Sequence, residues 1–152
     1  MKILVTGAAG FIGSNLVERL LEDQKVKVIG IDSFIGPTPE TITRQNLKPL
    51  LDHPRFTFYE EDLVTINWGT YLAGVDYVYH LAGMPGVRSS WGVEFNRYVT
   101  NNIDVTQRLL EACKHIPLKK FIYSSTSSVY GEKTGKVSED ASLRTDVSLW
   151  NH

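Results

Sequence analysis

The chain has 152 residues, 42% of them hydrophobic and 22% charged, and its 16 basic and 17 acidic side chains leave a net charge of −1. These proportions describe one globular domain or part of one; they exclude disorder and offer no basic footprint for nucleic acid or an anionic membrane. A lone cysteine, Cys113, makes no internal disulfide, and the apolar start Ile3-Leu4-Val5 runs straight into Gly7, too short for a signal-peptide core or a membrane span. A soluble, cytoplasmic chain without a metal site is expected.

The first strand is predicted at Lys2–Thr6. An amphipathic helix follows, with Ile12, Leu16 and Leu20 recurring every four residues beside Val17 and Leu21. Lys27–Asp32 reads as the second strand, 36–39 as a Pro/Gly-rich loop, and 46–51 as a weaker helix broken near Pro49. Further strands are expected at 56–59, Tyr77–His80 and 120–124. Thr106, Leu109, Leu110 and Cys113, spaced i, i+3, i+4, i+7, mark a late helix that Pro117 helps to end. Nearly continuous apolar strands suit a parallel sheet buried on both faces. Strand–helix alternation with right-handed crossovers then gives an α/β, doubly wound parallel sheet of about five strands.

The first strand runs into Gly7-Ala8-Ala9-Gly10-Phe11-Ile12-Gly13, a G-x-x-G-x-x-G loop opening the first helix. Glycines there permit a tight turn and close backbone approach to a pyrophosphate, while the helix start supplies free N–H groups and partial positive charge. Asp32 closes the second strand 19 positions after Gly13, matching the ~20-residue spacing at which a carboxylate accepts from the adenosine ribose hydroxyls. Its charge would repel a 2′-phosphate, and the next residues, Ser33 and Phe34, offer no arginine to receive one. NAD is therefore favoured over NADP.

With these residues in view, the chain resembles the extended short-chain dehydrogenase/reductase family, in particular its NAD-dependent nucleotide-sugar epimerases and dehydratases, and within them the UDP-glucuronic acid 4-epimerases. The resemblance covers residues 1 to 144 and implies a Rossmann-type domain, incomplete in this chain. It assigns to the cofactor site Gly7, Gly10, Phe11, Ile12, Gly13, Asp32 and Ser33, the adenine-flanking pair Asp62 and Leu63, and the segment Leu81, Ala82 and Gly83 at the end of the fourth strand. Asn101, in the run Asn101-Asn102 with Thr106, and Ser124, in Tyr123-Ser124-Ser125-Thr126-Ser127-Ser128, complete it. His80 reads as a packed strand-end residue rather than a base. The catalytic hydroxyl maps to Thr126, and Pro85, Arg88, Ser127 and Ser128 map to the substrate site. The implied chemistry is oxidation of a UDP-hexuronate at C4, rotation of the keto sugar and re-reduction. Ser127 and Ser128 stand where dehydratases carry Asp-Glu; two neutral hydroxyls suit a substrate carboxylate without supplying the acid and base of elimination. The family further implies a homodimer for the full-length member. A UDP-glucose or UDP-N-acetylhexosamine 4-epimerase on the same scaffold, or a non-catalytic NAD-binding module, remains an alternative.

One departure stands out. The family's next motif, Pro-x-Ser-Pro-Tyr-Gly-x-x-Lys, carries the catalytic tyrosine and lysine, yet 145–152 read Thr-Asp-Val-Ser-Leu-Trp-Asn-His, with no tyrosine after Tyr130 and no lysine after Lys136. Dropping one base from the codon of Thr145 permits Pro, Met or Thr, Ser, Leu or Pro, Tyr, then Gly. A shifted reading frame behind an aberrant tail over 145–152 is expected, together with a chain that is inactive by itself and exposes an apolar strand edge.

Overall fold

Side chains of the strand Lys2–Thr6 (β1) alternate between two cores, and the fold is built outward from them. A computed structural model describes residues 1–86, 89–131, 133 and 135–143 of the chain. Ile3 and Val5 join Val17, Leu21, Val28, Leu47 and Phe56 on one face, while Leu4 joins Ile31, Trp68, Leu72, Val78 and Leu109 on the other. The period-two alternation of a strand thus fills two helix-covered layers.

The other strands are Lys27–Asp32 (β2), Phe56–Glu60 (β3), Tyr77–His80 (β4) and Lys120–Tyr123 (β5). All pair in parallel, in the order β3-β2-β1-β4-β5. The chain leaves β1 toward β2 and β3, then returns to place β4 and β5 on the opposite side. That reversal opens a crevice above the carboxyl end of β1, where open α/β sheets bind ligands. Pairing of Thr6 with both Ile31 and His80 brings three strand ends to one level.

The helices are Phe11–Leu21 (α1), Glu40–Leu47 (α2), Trp68–Leu72 (α3), Phe95–Tyr98 (α4) and Val105–Cys113 (α5), with a π-helical stretch, Val99–Asp104, joining the last two. Among the described residues no helix is long and apolar enough to cross a membrane.

Strand positions match the sequence expectation to within a residue; several faces do not. The buried face of α1 is Gly13, Ser14, Val17 and Leu21, with Leu16 and Leu20 at its margin and Ile12 64% exposed. The helix docks on the side that lacks a Cβ, because a Cβ on Gly13 would lie 2.0 Å from the Gly7 carbonyl oxygen. The helix expected at 46–51 forms earlier: Pro39 precedes α2, Glu40 and Arg44 pair one turn apart, and Lys48, its N–H still bonded to the Arg44 carbonyl, follows its end. The five-residue α3 has no counterpart among the expected elements. Only the inner strands are covered on both faces. In β3 Thr57, Tyr59 and Glu60 are exposed, and β5 has no buried residue, as befits strands at the sheet margins. In α5 the buried residues are Val105 and Leu109; Leu110 is exposed, and Cys113 is half-buried, its thiol pKa raised by burial.

Candidate functional site

The loop after β1 is tied down before it turns. The N–H groups of Gly7 and Ala8 both donate to the Ile31 carbonyl (2.9 and 3.3 Å), and Gly10 N–H donates back to the Gly7 carbonyl. Gly7 has φ +71°, and a Cβ there would lie 2.7 Å from the backbone nitrogen of Ala82, so only glycine fits. The first internal bond of α1 runs from Ser14 N–H to the Gly10 carbonyl, and no side chain caps the helix. The N–H groups of Phe11, Ile12 and Gly13 therefore precede the helical ladder and face outward with the positive end of the helix dipole. The side chains of Phe11 and Ile12 stand exposed at the same turn, while Gly13 is the close-packing point behind it.

Asp32, at the end of β2, holds this loop with both carboxylate oxygens. Oδ2 accepts from Ala9 N–H (3.0 Å) and Oδ1 from Phe34 N–H (2.8 Å). One lone pair on each oxygen is left over, the set a vicinal diol would engage. Phe34 adopts φ +57°, a left-handed conformation that costs a non-glycine residue about 1–2 kcal/mol. Its ring is held in place against Phe58 and beneath the Arg44 guanidinium, 4.0 Å away, which Glu40 and Glu60 clamp.

A cleft of about 210 Å³ connects these elements. Its floor is Gly7 and Gly10; on the β2 side stand Asp32, Ser33 and Thr38 with Asp62 and Leu63; on the β4 side stand Leu81, Ala82, Gly83, Pro85 and Asn101. Asp62 also closes its own turn by accepting from Val64 N–H at 2.9 Å. Of the residues expected at the cofactor, the cleft thus gathers ten, Phe11, Ile12 and Gly13 flank it at the helix start, and Ser124 stands apart. Ser124 follows β5, two strands away from β1, and donates its N–H to the His80 carbonyl. Thr126 is exposed just beyond. Ser127 opens a single 3₁₀ turn, Ser127–Tyr130. The side chains of Ser127 and Ser128 lie outside the described residues, as do Arg88 and 145–152.

Beneath the cleft, His80 is 1% exposed and fully bonded. Thr106 Oγ1 donates to the Asn102 carbonyl (2.7 Å) and so accepts from His80 Nε2–H (2.9 Å). On the other side Nδ1 accepts from the Thr6 hydroxyl (2.7 Å), whose oxygen accepts from Ala82 N–H at 3.3 Å. Every donor has an acceptor only if the ring is neutral with its proton on Nε2. Burial lowers its pKa to about 4, so it is a structural bridge and not a base.

A glycine loop, an acid at the end of β2 and a cleft over the sheet's switch point suit a dinucleotide, and comparison with known proteins agrees. Residues 3–148 match the NAD dependent epimerase/dehydratase family. The chain belongs to that family. Within it, the chain is 60% identical over 143 residues to YtcB of Bacillus subtilis, described as an uncharacterized UDP-glucose epimerase, covering 94% of this chain and 45% of that protein. A UDP-glucuronate 4-epimerase of Thermodesulfobacterium geofontis is 35% identical over 150 residues, covering 95% and 45%. The crystal structure of UDP-glucuronic acid 4-epimerase from Bacillus cereus in complex with UDP-glucuronic acid and NAD superimposes with a TM-score of 0.88 at 59% identity, covering 95% of this chain and 46% of that one. The chain spans a little under half the length of these family members.

Two features of this family member escape its sequence. Asn102 clamps the segment after β4, its Oδ1 accepting from Met84 N–H (2.7 Å) and its Nδ2 donating to the Met84 carbonyl (3.0 Å). The left-handed Phe34 is the other. The run Asn101-Asn102 with Thr106 marks the first as part of a motif but not its partner Met84; nothing in the sequence marks the second.

Proposed function

We propose that this chain is the NAD-binding portion of a nucleotide-sugar 4-epimerase that converts UDP-glucuronate to UDP-galacturonate. The observation that carries the reading is the Asp32 carboxylate, anchored by two backbone N–H groups at the rim of a cleft whose floor is an uncapped helix start. NAD, when bound, supplies the hydride acceptor and donor at sugar C4. The chain's own residues do the holding. Asp32 accepts from the adenosine ribose, the N–H groups of Phe11, Ile12 and Gly13 receive the diphosphate, and Leu81 to Pro85 with Asn101 wall the remaining half. Thr126 donates its hydroxyl to the sugar oxygen, and Ser127 and Ser128 receive the hexuronate carboxylate, with Arg88 as a further anion contact. The 59% identity to an epimerase crystallised with UDP-glucuronic acid and NAD supports this choice of cofactor and sugar. The name of YtcB supports UDP-glucose as a second reading; competition between UDP-glucuronate and UDP-glucose for the full-length enzyme decides between them. A homodimer of the full-length enzyme through the helix after Asn102, where Leu110 is exposed, belongs to the same proposal. Light scattering of the full-length enzyme should give twice its subunit mass, and a monomer would exclude it.

Calorimetry tests the cofactor assignment. Asp32→Ala should weaken NAD binding about 10- to 100-fold, the worth of one charge-assisted hydrogen bond. NADP should bind the wild type far more weakly than NAD, because its 2′-phosphate meets the carboxylate, and Asp32→Ala should narrow that gap. Equal affinity of the wild type for NAD and NADP would remove the assignment.

A further inference from the structure

From Phe95 to Cys113 the chain runs as one helix whose middle, Val99–Asp104, is π-helical. In an α-helix, residues four apart drift by about 40° around the axis at each step, which would fan Tyr98, Asn102 and Thr106 over the surface. The wider π turn advances less per residue and offsets that drift; such insertions are frequent at functional sites. All three side chains accordingly reach the same stretch of chain. Thr106 bonds His80 at the end of β4, Asn102 brackets Met84, and Tyr98 reaches furthest. The Tyr98 hydroxyl donates to the Pro85 carbonyl (3.0 Å), so its oxygen accepts from the Ser89 hydroxyl (2.5 Å).

Met84 and Pro85 form the cleft wall on the β4 side. Because β2 and β4 flank β1 on opposite sides, a dinucleotide whose diphosphate rests over β1 with its adenosine at Asp32 must place its second nucleoside against this wall.

We propose that Tyr98 is a positioning residue for the second nucleoside: held in register by the π segment, its hydroxyl fastens Pro85 and Ser89 and so sets the pose of the cleft wall that distinguishes NAD from ADP. The inference rests on the cofactor reading above. It concerns the wall beyond β4 and leaves the adenosine half untouched.

The test titrates the 152-residue chain calorimetrically with NAD and with ADP, which keeps the adenosine and both phosphates but lacks the second nucleoside. Tyr98→Phe should reduce the preference for NAD over ADP about three- to tenfold, the worth of one or two hydrogen bonds, with ADP affinity unchanged. Ser89→Ala should cost less, since the Tyr98–Pro85 bond survives it. The double variant should bind NAD no more weakly than Tyr98→Phe alone, because Ser89 acts through the tyrosine hydroxyl; a purely structural role gives additive losses in both ligands. An unchanged NAD-to-ADP ratio in Tyr98→Phe, equal weakening of both ligands, or a wild type without preference for NAD overturns the positioning role. A wild type that binds neither ligand overturns the cofactor reading and this inference with it.

Discussion

Gly13→Ala is expected to abolish NAD binding and to lower stability by about 3 kcal/mol or more, at the upper end of what overpacking costs. The added methyl would lie 2.0 Å from the Gly7 carbonyl oxygen and 2.9 Å from Ala8 Cα, both backbone atoms without a rotamer to give way. Relief requires α1 to retreat from the loop, and the loop is pinned to β2 through Ile31 and Asp32. The retreat would carry the Phe11–Gly13 amides out of line with the cleft. Gly10→Ala separates packing from binding. Its Cβ would meet only the Gly7 carbonyl oxygen, at 3.3 Å, and Gly10 lines the cleft. That variant should unfold in urea close to the wild type yet bind NAD poorly. Wild-type stability of Gly13→Ala would show that α1 does not dock as described.

The parts of this architecture legible in the sequence are those whose cause is local. The glycine loop and Asp32 belong to one strand–helix–strand unit, and the strands declare themselves by nearly continuous apolar and aromatic runs. Where the cause lies elsewhere in the chain, the pattern misleads. Leu47, Leu50 and Leu51 suggest a helix over 46–51, but Leu50 is buried from a turn after α2 has ended, and the helix is set by Pro39 and the Glu40–Arg44 pair. Ile12 and Leu110 complete helical stripes on paper, yet the docked faces are chosen by Gly13 and by Val105 with Leu109. The helix Trp68–Leu72 is too short for any period to register; Asn67 starts it by accepting from Gly69 N–H. At the site the same division holds. Asp32 is readable, whereas the clamps from Asn102 and Tyr98 join residues 13 or 18 positions apart through a loop whose path the sequence does not disclose.

His80→Gln should flatten the pH dependence of stability, and this is the largest pH effect the fold predicts. The ring is buried, neutral and bonded on both nitrogens, bridging Thr6 of β1 to Thr106 of α5. Below the ordinary imidazole pKa of 6.5 the unfolded chain takes up a proton that the folded chain refuses until about pH 4. The unfolded state binds more protons across that window, so stability falls as pH drops from 6.5 toward 4, by about 1.4 kcal/mol per unit and about 3 kcal/mol in all from this group. Above pH 6.5 both states are neutral and the contribution is level. Glutamine offers one donor and one acceptor, as the neutral ring does, but does not titrate there. Urea unfolding at pH 7.5, 6.0, 5.0 and about 4.5 should show the wild type losing stability relative to the variant as pH falls, since carboxylates and the other three histidines respond alike in both. Parallel curves would mean that His80 takes its proton as easily folded as unfolded, and the Thr6–His80–Thr106 bridge would then not be the buried, neutral link on which the floor of the cleft depends.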